Sequence, residues 1–102
     1  MIDNEIQTNL DKIRHLFKKH HVKTAYLFGS GVRNKLNDQS DIDLLIRLDN
    51  SLDPLEAGSN LWELEESLQD LLKRDVDLLT ERSLKNPYFI QEIDNTKVKI
   101  YG

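Results

Sequence analysis

The segment DIDLLIRL, residues 41–48, constrains this chain more than any other stretch. Its later residues are apolar and β-branched enough for a central strand. It nevertheless opens on acids. Residues i and i+2 of a strand share a face, so Asp41 and Asp43 project side by side while Ile42 turns to the core. The fold must therefore bury most of this strand and still hold two carboxylates together on one side of it.

The flanking segments supply the cover. Ile6, Leu10, Ile13 and Phe17 recur at helical spacing, which predicts an amphipathic helix over 3–21. Acids stand near its start, and Lys18, Lys19, His20 and His21 at its end suit the helix dipole. The two histidines read as solvated residues without a role. KTAYLF, residues 23–28, reads as a strand that a Gly29-Ser30-Gly31 turn interrupts. The polar residues 31–40 read as a loop with at most one helical turn. A long helix is expected from about 54 to 74, its stripe formed by Leu61, Leu64, Leu68, Leu71 and Leu72 and its exposed face dominated by acids. Trp62 neighbours that stripe, which points to partial burial rather than a partner surface. DVDLLT, residues 75–80, reads as a third strand. NPYFIQEID, residues 86–94, reads as a helix capped by Asn86 with Pro87 in its first turn. KVKIY, residues 97–101, is a last strand or a packed tail. Strands alternate with helices, so the expected fold class is α/β, a small mixed sheet with packed helices.

Composition narrows the function classes. The chain has 102 residues, which suits one domain over 1–102. It has no cysteine, which excludes thiol catalysis and zinc ribbons. The formal net charge is −4, which argues against a general grip on nucleic-acid backbone. No apolar run approaches the roughly 20 residues that span a bilayer, and the acidic N-terminus lacks a signal-peptide pattern. The expectation is a soluble, cytoplasmic protein that does not engage membranes.

If strands 41–48 and 75–80 pair, a third carboxylate joins Asp41 and Asp43. Three ionised carboxylates together raise one another's pKa unless a cation lies between them. Mg²⁺ takes hard oxygen ligands and is commonly held by carboxylates plus substrate phosphates. Two such ions can clamp the attacking and leaving oxygens of a phosphoryl or nucleotidyl transfer. Gly29 and Ser30 complement them: glycine lets backbone approach a phosphate, and amides and a hydroxyl can donate to its oxygens.

LFGS, ten residues, then DIDLLI resembles the signature of the DNA-polymerase-β-like nucleotidyltransferase superfamily, and the short chain is similar to its minimal nucleotidyltransferase (MNT) family. These are antitoxin partners of HEPN toxins. The resemblance implies a polymerase-β-like fold and a Mg²⁺-dependent transfer of AMP from ATP, with two ions, to a hydroxyl, such as a Tyr, of a HEPN toxin. By the same resemblance Gly29, Ser30 and Arg33 bind the triphosphate, with anchoring of the loop to an acid such as Asp38 the rival role for Arg33, and Asp41, Asp43 and Asp77 are the metal ligands and catalytic carboxylates. Asp77 would also activate the attacking hydroxyl, with Asp75 the rival for that third position. Gly31 and Asn34 depart from residues common in the family, in the loop near the donor triphosphate. Two other readings stand beside it: an antitoxin that masks its toxin by binding alone, and nucleotidyl transfer to a small molecule.

Overall fold

The computed structural model describes residues 4–28, 42–49, 51–80 and 84–102. The order is α1 (Asn4–Thr8), α2 (Leu10–Lys19), β1 (Val22–Phe28), β2 (Ile42–Leu48), α3 (Pro54–Leu72), β3 (Val76–Thr80), α4 (Pro87–Thr96) and β4 (Val98–Tyr101). The strands form one sheet ordered β3-β2-β1-β4. β1 runs antiparallel to β2 and to β4, and β2 runs parallel to β3. The expected mixed sheet is present. The parallel pair follows from α3, because joining two parallel strands needs a long crossover.

Alternation along the strands gives the sheet two apolar faces. Ala25, Leu27, Ile42, Leu44, Ile46, Val76 and Ile100 pack beneath Ile6, Ile13 and Phe17 of the first two helices and Leu64, Leu68 and Leu72 of α3. Phe28 and Leu45 face the other way and pack with Ile93 of α4, flanked by Tyr26, Leu79 and Leu84. Phe17, Leu64 and Leu68 are wholly buried. Each contributes about 1.5–3 kcal/mol by leaving water.

The helix ends follow local chemistry. Asp53 caps α3 by accepting from Glu56 N at 2.9 Å, with Pro54 in the first turn, and Lys73 ends it in a left-handed conformation, φ 57°. Asn86 caps α4 as expected, accepting from Tyr88 N at 2.9 Å and Phe89 N at 3.4 Å. β4 resolves the choice at the C-terminus in favour of a strand, and the Tyr101 ring meets Phe17 at 5.5 Å.

Three expectations are corrected. The helix over 3–21 is two helices, because the Asn9 side-chain amide donates to Glu5 O at 2.9 Å and its backbone leaves the helical path. Asn readily offers such local alternatives to the helix ladder. The apolar stripe survives the break, since Ile6 and Ile13 are both buried. His20 is buried, not solvated: its Nδ1 donates to Leu16 O at 2.8 Å, and the Asn60 side-chain amide of α3 donates to its carbonyl. The chain turns there through His21, φ 62°. Trp62 is not partly buried; it is 64% exposed.

Candidate active site

The strand register assembles the site. Phe28, the last residue of β1, lies opposite Asp43, and Asp43 lies opposite Asp77. These three residues form one row across three strands, with neighbouring strands about 4.8 Å apart. The next row, Tyr26, Leu45 and Leu79, shares the α4 side of the sheet, so alternation puts Asp43 and Asp77 on that side as well. Two carboxylates from strands distant in sequence are thus neighbours on one face at one end of the sheet. Asp43 is half-buried and Asp77 exposed.

Several contacts hold β3 in this register. Ile42 N donates to Asp75 O at 2.9 Å, which starts the β2–β3 ladder just before the row. The Gln69 side chain on α3 accepts from Val76 N at 3.2 Å. Arg74, between α3 and β3, donates to Glu5 Oε2 of α1 at 2.6 Å. An Arg–carboxylate bond of this length is charge-assisted and among the stronger kinds. Asp77 therefore stands on a strand tied at its start to two helices.

The row ends in an aromatic wall. Phe28 meets Phe89 of α4 edge-on, with ring centroids 6.2 Å apart. Phe89 is 39% exposed and its neighbour Tyr88 is 83% exposed. The Phe28–Phe89 contact places Phe89 beside the carboxylate row.

Of the residues expected to form the site, the structure brings Asp43 and Asp77 together. Gly29, Ser30, Arg33 and Asp41 lie outside the described residues. Asp75 is exposed and precedes β3. Among the described residues, no group of three or more His, Asp or Glu side chains is gathered to hold a metal. The Asp43–Asp77 pair supplies hard carboxylate oxygens, the donor type that suits Mg²⁺. Among the described residues, no helix is long and apolar enough to cross a membrane.

Comparison with known proteins agrees with this architecture. Residues 11–102 match the family described as polymerase beta, nucleotidyltransferase. A protein of Methanocaldococcus jannaschii, provisionally named a protein adenylyltransferase, is 36% identical over 98 residues, covering 95% of this chain and 96% of the relative. A crystal structure of a toxin–antitoxin with AMP-PNP superposes with a TM-score of 0.72 at 29% identity, covering 92% of this chain and 73% of that one. The complex of a tri-AMPylated Shewanella oneidensis HEPN toxin with its MNT antitoxin gives a TM-score of 0.65 at 28% identity, covering 94% and 71%. A match over all but the first ten residues, on a sheet that sets two acids side by side at its end, leaves one conclusion: the chain belongs to the polymerase-β nucleotidyltransferase family.

Proposed function

We propose that this chain is an antitoxin enzyme that moves AMP from ATP to a hydroxyl, a Tyr hydroxyl foremost, of a cognate HEPN toxin. The observation that carries the reading is the in-register pairing of Asp43 with Asp77 at the end of the family's sheet. It is supported by the AMPylated HEPN toxin and the AMP-PNP complex among the similar structures. Residues 1–102 act in this reading as one nucleotidyltransferase domain, working in the cytoplasm, where ATP and a toxin meet.

The acceptor oxygen forms a bond to the α-phosphorus, and the bond from that phosphorus to the bridging oxygen breaks to release pyrophosphate. Asp77 orients the hydroxyl and takes its proton. Register within the ladder supports Asp77 over Asp75, because Asp77 is the residue opposite Asp43. Asp41, Asp43 and Asp77 would hold magnesium, two ions in the full site, and the metal when bound supplies charge to offset the triphosphate and the developing alkoxide. Gly29, Ser30 and Arg33 bind the triphosphate. β1 ends at Phe28, directly opposite Asp43. Rate enhancement then comes from orientation and preorganised charge.

The test uses the four NTPs, each labelled at the α-phosphate, with purified protein, Mg²⁺ and the cognate HEPN toxin. The expected result is label on the toxin from ATP, lost in Asp43→Asn. Near-normal labelling by a folded Asp43→Asn protein would reject the assignment of the site. Label appearing in a small molecule would favour a small-molecule acceptor. Toxin neutralised with no label, and equally by Asp43→Asn, would favour masking by binding alone.

A further inference from the structure

The outer face of α3 is unlike the rest of the surface. Leu55 is 86% exposed and Trp62 64% exposed. They are seven positions apart, two helical turns, so they lie on one side of the helix about 10 Å apart along its axis. Glu56, Glu63, Glu66 and Asp70 are exposed around them, and Glu65 is half-buried. Over Pro54–Leu72 the helix carries not one Lys, Arg or His. Among the described residues no salt bridge engages these acids. Beside Leu55 an open groove of about 380 Å³ runs between Leu52, Ser59, Glu56 and Glu63.

Charge and apolar surface together select the occupant. Exposed Trp and Leu call for an apolar pocket on the other side, and Trp is the residue most enriched at binding hot spots. The acids repel nucleic acid and anionic lipid. A second copy of this chain would bring one all-acidic helix against another, and like charges set against each other disfavour that pairing. A protein surface with an apolar pocket ringed by Lys and Arg satisfies both demands.

We infer that the outer face of α3, centred on Leu55 and Trp62, is where the acceptor protein docks through a basic-rimmed apolar pocket. This rests on the reading of the chain as an enzyme acting on a HEPN toxin. From Trp62 to Leu72 the helix runs ten residues, about 15 Å, and β3 with Asp77 begins just beyond it. The carboxylate row faces away from α3, on the α4 side, so a partner lying along α3 reaches it by passing round β3, the edge strand of the sheet.

Trp62 is the sole tryptophan of the chain, which gives a direct readout. The chain is labelled with 5-fluorotryptophan and titrated with unlabelled cognate HEPN toxin, following the fluorine resonance. The expected result is a saturable shift of the Trp62 signal. Glu63→Lys combined with Glu66→Lys is expected to raise Kd at least tenfold, and wild-type binding is expected to weaken as salt rises. Leu55→Ala, followed by calorimetry, gives a second variant in which no charge is reversed. For all these variants AMP transfer at saturating toxin keeps its kcat while KM rises, whereas Asp77→Asn keeps binding and loses transfer. Binding of the toxin with an unmoved Trp62 signal and unchanged affinity of the variants would overturn the docking site and leave the activity standing. A Trp62 signal that shifts with the concentration of this chain alone, with a dimer in sedimentation, would overturn it in favour of self-association. A wild-type chain that neither binds nor modifies the toxin would overturn both readings.

Discussion

The two faces of the sheet are covered to different extents. One lies beneath α1, α2 and α3, where Ile6, Ile13, Phe17, Leu64, Leu68 and Leu72 close over buried residues of all four strands. Among the described residues the other has α4 alone, whose Ile93 packs with Phe28 and Leu45. The Asp43–Asp77 pair is on this second, thinly covered face. Burying carboxylates under three helices would cost several kcal/mol for each charge left in an apolar interior. Cohesion is therefore concentrated on one face, and the other is left open for chemistry. Substitutions on the two sides should separate stability from activity.

The largest effect is expected on the closed face. Phe17→Ala removes a wholly buried ring that also supports Tyr101 of β4. It should cost about 3–5 kcal/mol, a large part of the stability of a domain this size. Denaturant titration measures it, and a loss under 1 kcal/mol would break the asymmetry. Asp77→Asn tests the open face. It should leave the unfolding free energy within about 0.5 kcal/mol, as an exposed substitution, and lower AMP transfer by about 100-fold or more. A parallel loss of stability would show that the row carries cohesion as well.

Asn86→Ala sharpens the comparison, because α4 is the helix that covers the open face. Loss of the cap should cost about 1 kcal/mol. Hydrogen exchange should speed up in α4 while α2 and α3 keep their protection, since those helices pack on the opposite side. Uniform acceleration in all three would mean that the two faces unfold as one unit.

Much of this was legible in the sequence. The periodicity of Leu64, Leu68 and Leu72 gave α3 its buried stripe, and Asn86-Pro87 gave α4 its start. The pairing of Asp43 with Asp77 depended on the partner of the third strand, which local pattern does not contain: register is a tertiary property, here set by the β2–α3–β3 crossover and its ties at Gln69 and Arg74. His20 was misread for a related reason. A histidine beside two lysines looks solvated, but this one is buried, its ring bonded to Leu16 O and its carbonyl accepting from Asn60, forty residues away. Trp62 was misread the opposite way. Position next to a leucine stripe does not tell which side of that stripe a residue falls on, and the sheet takes Leu64 and Leu68 while Trp62 stays in water. At Asn9 a single side-chain bond outweighed helical periodicity that was otherwise continuous.

The smallest effect concerns acid, and it belongs to the closed face, at the N-terminus of α3. The Asp53 carboxyl is held below its ordinary value of 3.8 chiefly by the backbone N–H of Glu56, and Asp49 is held down by the Ser51 hydroxyl and N–H, with His21 adding to it. A carboxylate whose folded pKa is depressed contributes its stability above the unfolded pKa and loses it as pH falls through the folded one. Unfolding free energy should therefore decline as pH drops from about 4. Both groups are exposed, so salt should weaken the effect. Asp53→Asn keeps an oxygen that can cap the helix but has no proton to take up. Its stability at neutral pH should stay close to that of the wild type, and its decline below pH 4 should be shallower. An equally steep decline in that variant would move the acid sensitivity away from α3, and the open face with its paired carboxylates would be the next place to look.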